Sequence, residues 1–151
     1  MAARMKNPAM IIPQAMLTHR ISINRNKLIY WVATLWLALG MLSTGIVQLL
    51  KMKAEGAASG VDGITHLGYP IYFLTIIGIW KILGVVAVLT PKFPLVKEWA
   101  YAGFFFAMSG AIFSHIAVGD SVKEIFPALL LLILTVVSWY FRPADRRVRN
   151  S

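Results

Sequence analysis

Residues 71–90 read IYFLTIIGIWKILGVVAVLT, twenty residues with a single charge, Lys81, at their centre. Crossing the hydrocarbon core of a bilayer takes about 20 predominantly apolar residues, with roughly 17–25 tolerated. The run is therefore long enough to span. A lysine at its centre costs about 2.5 kcal/mol or more, so an intramembrane lysine is a functional-site hypothesis by default. Snorkelling to the headgroups is the bland alternative, but about 15 Å of helix separates Lys81 from either end of the run. Gly78 and Gly84 flank Lys81 at i−3 and i+3, which places all three on one helical face. A lysine between two glycines is expected to face a closely approaching helix rather than lipid.

Three further apolar runs, Leu28–Leu50, Trp99–Val118 and Ile125–Phe141, surround this one. An apolar fraction of 58% is too high for an ordinary soluble domain. The expected fold is all-α: an integral membrane four-helix bundle with spans at 28–50, 71–90, 99–118 and 121–141. A basic, loosely ordered arm, 1–27, precedes it, and a basic tail, 143–151, follows. Met5, Met10 and Met16 are alternative starts. The first run is too long for the h-region of a cleaved leader.

The net charge of +9 suggests nucleic acid only for a soluble chain. Here its distribution matters more. Arg4, Lys6, Arg20, Arg25 and Lys27 precede the first run, Lys92 and Lys97 lie between the second and third, and Arg142, Arg146, Arg147 and Arg149 follow the last. Only Lys51, Lys53 and Lys123 fall on the other side. The positive-inside rule then places both termini in the cytoplasm, with the tails attracted to anionic lipid and no nucleic-acid partner. The absence of cysteine excludes thiol nucleophiles and iron–sulfur ligation by this chain alone.

The connection from Lys51 to Pro70 is the longest and carries Gly56, Gly60, Gly63 and Gly68, which makes it the expected place for a partner or a small lid. Thr90-Pro91-Lys92-Phe93-Pro94 stops the second span, and eight residues, 91–98, join it to an antiparallel neighbour. Gly119 suits the end of the third span. Ser121-Val122-Lys123-Glu124 has the form of a capping box, so the fourth span is expected to begin near Ser121 and kink at Pro127. Gly103, Ala107 and Ala111, with Gly110 beside them, form a small-residue stripe where helices are expected to pack closely.

Among residues able to carry chemistry, Lys81 comes first, in an expected polar intramembrane site with Trp80, Ser109 and His115, the last near the outer end of its span. His66, Asp120 and Gln48 form an expected polar cluster at the outer face, joined by Thr44 and Ser43. His115 and Asp120 are five apart and share no helix face, but a turn at Gly119 brings the carboxylate back toward the ring. No metal site, nucleophilic triad, phosphate loop or intramembrane carboxylate pair is evident.

His66-Leu67-Gly68-Tyr69-Pro70, Tyr72-Phe73, Gly78-Ile79-Trp80-Lys81-Ile82-Leu83-Gly84, Lys97-Glu98-Trp99-Ala100-Tyr101-Ala102-Gly103-Phe104, Ser114-His115, Gly119-Asp120 and Arg142-Pro143 follow one another in an order that resembles the DoxX-like family of bacterial four-helix membrane proteins. The resemblance covers roughly Lys27 to Arg147 and implies the fold and an inner-membrane location. The family takes its name from a subunit of a thiosulfate:quinone oxidoreductase, so the resemblance also implies quinone as a ligand, by fold analogy alone. Similar chains often read Phe-Phe-Asp-Leu-Thr-Gly-Ala where this one reads Phe105-Phe106-Ala107-Met108-Ser109-Gly110-Ala111. The aspartate falls at Ala107, level with Lys81, and its loss leaves the lysine without an ionic partner. Lys81 is then expected to be neutral, to meet Ser109 and backbone carbonyls, or to receive an anionic ligand.

Three function classes follow. The first is a redox-linked membrane subunit that handles quinone near Lys81 and Trp80, with electrons from a partner protein and no catalysis by this chain alone. The second is a non-enzymatic anchoring or assembly protein that acts through 51–70. The third is a small transporter, which with four helices needs a narrow bundle or a homo-oligomer.

Overall fold

The computed structural model describes residues 25–52 and 60–148. Most of the basic arm, the middle of the long connection and the last three residues lie outside these. Four long helices form: α1 (Arg25–Leu49), α3 (Tyr72–Leu89), α4 (Pro94–Ala117) and α5 (Val122–Tyr140), with a short α2 (Val61–His66) between the first two. All four are long and apolar enough to cross a membrane. At 1.5 Å per residue the 18 residues of α3 reach about 27 Å, close to the bilayer core.

The helices form a ring in which α1 packs on α3 and α5, and α4 packs on α3 and α5; the α3–α4 seam is the least extensive. A core of Leu37, Met41, Val85, Tyr101, Phe104 and Met108 fills the centre. Large apolar side chains such as Trp36, Leu39, Phe106 and Phe113 point outward. That inside-out distribution is expected where the solvent is lipid. The end bearing Arg25, the 90–93 turn and Arg142 is called basal here, and the end bearing α2 and Gly119 apical.

The turn between α3 and α4 sets the basal end. Pro94 opens α4, where a missing N–H costs nothing. Lys92 and Phe93 take left-handed backbone angles, φ 66° and 51°. The helix thus begins five residues before the apolar run, and Lys97 and Glu98 lie inside it rather than in the connection. Both charges are accommodated because each finds a partner. Lys97, with no exposed surface, donates its ammonium to the carbonyls of Ala87 (2.9 Å), Val88 (3.2 Å) and Thr90. These are the orphan acceptors at the C-terminus of α3, where a cation also suits the helix dipole. Arg146 adds a bond to Val88 O and stacks on the Trp31 ring.

Glu98 accepts from Arg142 and from Trp139 Nε1 (2.8 Å), tying α4 to the end of α5. Above this lies a buried chain of hydroxyls. Thr34 gives its proton to Tyr30 O (2.6 Å), so Ser138 must donate to Thr34 (2.6 Å) and Tyr101 to Ser138 (2.7 Å). The chain joins α4, α5 and α1 without an unpaired proton.

Two expectations about glycine and capping are corrected. Gly78 and Gly84 do sit at close approaches: a Cβ on Gly78 lies 3.0 Å from Gly45 O, and one on Gly84 lies 2.5 Å from the Phe104 ring. A Cβ on Gly103 or Gly110 meets nothing within 4 Å. These two glycines leave open space instead of drawing helices together. At α5, Ser121 is the N-cap residue, but its hydroxyl bonds the Glu124 carboxylate rather than a backbone N–H. Pro127 is accommodated inside α5.

Candidate functional site

Two backbone turns assemble the apical end. After α4, Gly119 (φ 79°) lets the N–H groups of Gly119 and Asp120 return to the carbonyls of Ile116 (3.1 Å) and His115 (3.0 Å). After α2, Gly68 (φ 80°) does the same, with Gly68 N bonding Thr65 O (3.0 Å) and Tyr69 N bonding Ile64 O (3.0 Å). Both are Schellman turns, which need a left-handed residue that glycine supplies without strain. The first folds Asp120 back over His115; the second swings Tyr69 onto α4.

The result is a clasp. His66 Nε2 donates to Asp120 Oδ1 at 2.7 Å, and His115 Nδ1 donates to Oδ2 at 2.6 Å. Tyr69 OH donates to Ser114 Oγ (2.8 Å), whose own proton goes to Gly110 O (2.9 Å). The three sequence-predicted residues His66, His115 and Asp120 therefore meet, and they use their polar atoms on one another. Asp120 bonds one nitrogen of each ring, which leaves Nε2 as the position of buried His115 available to a ligand.

Hydrogen bonds from His66 and then His115 hold the Asp120 carboxyl below its ordinary value of 3.8. A depressed carboxylate stabilises the fold above the ordinary value and loses that contribution as pH falls through it and then through the folded value. Thermal stability in detergent is expected to drop between about pH 5 and pH 3. Asp120→Asn should start lower at neutral pH and decline less steeply; parallel curves would count against the clasp.

Beneath the clasp lies a cavity of about 230 Å³, bounded by all four long helices and by the residues that follow α2. Lys81, Thr44, Gln48, Tyr69, Ser114 and His115 give it polar walls. Lys81 is 6% exposed, and its ammonium donates to Thr44 Oγ1 at 3.1 Å. Thr44 passes its own proton to Gly40 O (2.9 Å) and so offers Lys81 a lone pair. Lys81 makes no ion pair within 4 Å among the described residues. Gln48, also 6% exposed, has an Oε1 with no partner among the described residues. A buried acceptor left unsatisfied costs about 1–3 kcal/mol and calls for a donor.

Several sequence-predicted residues fall elsewhere. Ser109 donates to Phe106 O (3.2 Å) and does not meet Lys81; Thr44 occupies that role because α1 crosses α3 at Gly45 and Gly78. Trp80 faces outward and lines a second, apolar space instead of the cavity. Gly110 lines the cavity, and Ala107 lines both spaces together with Lys81. Sequence reasoning noticed Lys97 and Arg142 only as topological charges. Their signal was a charge next to an apolar run with a carboxylate, Glu98, close at hand.

The DoxX-like family model matches residues 32–137. The chain belongs to the DoxX-like family. Neither a curated protein nor a solved structure matches it. The match spans all four long helices, so this DoxX-like protein is a multi-pass membrane protein whose outer surface contacts lipid.

The shared walls of Lys81 and Ala107 give a direct test of the lysine's missing partner. Ala107→Asp should place a carboxylate where Lys81 can pair with it, and the thermal stability in detergent should hold or rise. A clear loss would mean that the two positions do not face one another.

Proposed function

We propose that this DoxX-like protein binds a small oxygen-bearing molecule of the quinone class in the cavity at Lys81, as a redox-linked subunit of a bacterial inner membrane. Electrons come from a partner protein, and the chain is not catalytic alone. The observation that carries this reading is a buried ammonium with spare donors and an unsatisfied Gln48 oxygen on residues that line one cavity. A ring bearing two oxygens suits such walls: Lys81 donates to a carbonyl, and Gln48 accepts from the hydroxyl of the reduced form. His115 Nε2 adds a third polar position, held in place through Asp120. The basic basal end, with Arg142, Arg146 and Arg147, supports a topology with both termini cytoplasmic.

Native mass spectrometry of the purified protein with a dimethoxy-methyl-benzoquinone tests the reading. The wild type should carry one ring. Lys81→Met, which removes the donor, and Gly110→Leu, which fills the cavity from a position with open space, should both lose it. An empty wild type, or equal loading of Lys81→Met, would sink the reading.

A further inference from the structure

We propose that the ligand of the Lys81 cavity carries an apolar chain, that this chain lies in the groove between α3 and α4, and that the ligand enters sideways through that groove from the bilayer. This rests on the reading of the cavity given above and adds the class of molecule and its route.

The groove is a space of about 400 Å³ along the least extensive seam of the bundle. Exposed Trp80 and Trp99 stand among its walls, with Gly84, Gly103 and Phe104 between them. Ile77, Lys81 and Ala107 line the groove and the cavity alike, so the two spaces adjoin at these side chains. The cavity alone is smaller than the roughly 300–1,000 Å³ of small-molecule sites, whereas the two joined fall within that range. Both spaces are walled largely by hydrocarbon, but the cavity adds hydroxyl, amide, imidazole and the Glu124 carboxylate, whereas the groove's only charged wall is Lys81. Lys81 stands at the boundary.

Water suits the groove poorly, because a buried water needs about 2–4 polar partners. A single alkyl or prenyl chain, apolar along its whole length, suits these walls. Gly103 supports this directly: a residue with open space at its Cβ, in the middle of a helix where glycine costs about 1 kcal/mol relative to alanine, keeps the groove free.

The test uses two probes on the intact protein in detergent: the dimethoxy-methyl-benzoquinone without a chain, and the same ring carrying a ten-carbon chain. Gly103→Leu extends into the groove from a position where a Cβ meets nothing within 4 Å and improves helix propensity, so the variant should fold; Gly103→Ala, a single methyl in open space, serves if it does not. Comparing each probe between wild type and variant cancels its partition into micelles. The chain-bearing probe should bind Gly103→Leu about tenfold more weakly than wild type, with a smaller loss for Gly103→Ala, while the bare ring binds both equally. Equal affinity of the chain-bearing probe in wild type and variant, or equal weakening of both probes, overturns the groove while leaving the Lys81 site standing. Failure of the bare ring to bind wild type, or its full retention in Lys81→Met, overturns the site itself and this inference with it.

Discussion

Glu98→Ala should lower the melting temperature of the purified protein by roughly 6–12 °C, and Arg142→Met should lower it by much less. The asymmetry follows from which charge is buried. The Arg142 side chain is 3% exposed and that of Glu98 33%. Among the described residues Glu98 is the one carboxylate that Arg142 meets, and Arg142 Nε and Nη1 have no hydrogen-bond partner there. Removing Glu98 takes the carboxylate from a buried guanidinium that otherwise lies over the Tyr101 ring. Breaking a buried pair in this way costs about 3–5 kcal/mol; we take the lower figure because Glu98 is partly solvated. At roughly 2–4 °C per kcal/mol for a chain of this size, about 3 kcal/mol gives the stated range. Removing Arg142 instead leaves a carboxylate that water reaches and that Trp139 still bonds. The double variant should be more stable than Glu98→Ala alone, which is the mark of direct coupling. Equal losses in both single variants would show that the charge pair is not what holds α4 to the end of α5.

Gly78→Leu is expected to be the other severe change, measured against Gly110→Leu as its control. At Gly78 a Cβ lies 2.9 Å from Leu49 Cγ and 3.0 Å from the Gly45 carbonyl oxygen. A side chain there pushes on backbone, which has no rotamer to move to, so α1 and α3 must separate. Overpacking of this kind costs about 1–3 kcal/mol. Separation also pulls Thr44 away from Lys81, whose Cβ is among the nearest atoms to a Cβ built on Gly45. The melting temperature should fall by several degrees, and ring binding at Lys81 should be lost. Gly110→Leu should lose the ring with its melting temperature held. If Gly110→Leu destabilises as much as Gly78→Leu, the open space at Gly110 is not real.

Helix positions were legible because apolar run length is a local property, and a bilayer demands about 20 such residues whatever their neighbours. The start of α4 was misread for the same reason. Lys97 and Glu98 ended the apolar run in sequence, but the helix continued through them once Thr90 O and Arg142 supplied partners from other segments. Glycine shows the same divide. Gly78, Gly84, Gly103 and Gly110 look alike in the chain, yet the first two are contacts and the last two are vacancies. Only the neighbour across the seam distinguishes them.

The sequence by itself determined the class, the four long helices, the family and the presence of a lone charge within the four apolar runs, since each follows from composition, length or motif order along the chain. Only the tertiary structure decided what that charge meets. Thr44 rather than Ser109 accepts the Lys81 hydrogen bond, and Asp120 joins two histidines from separate segments. Contacts of this kind depend on the relative rotation and depth of packed helices. A period of 3.6 residues says which side chains share a face, and says nothing about which face of another helix lies opposite.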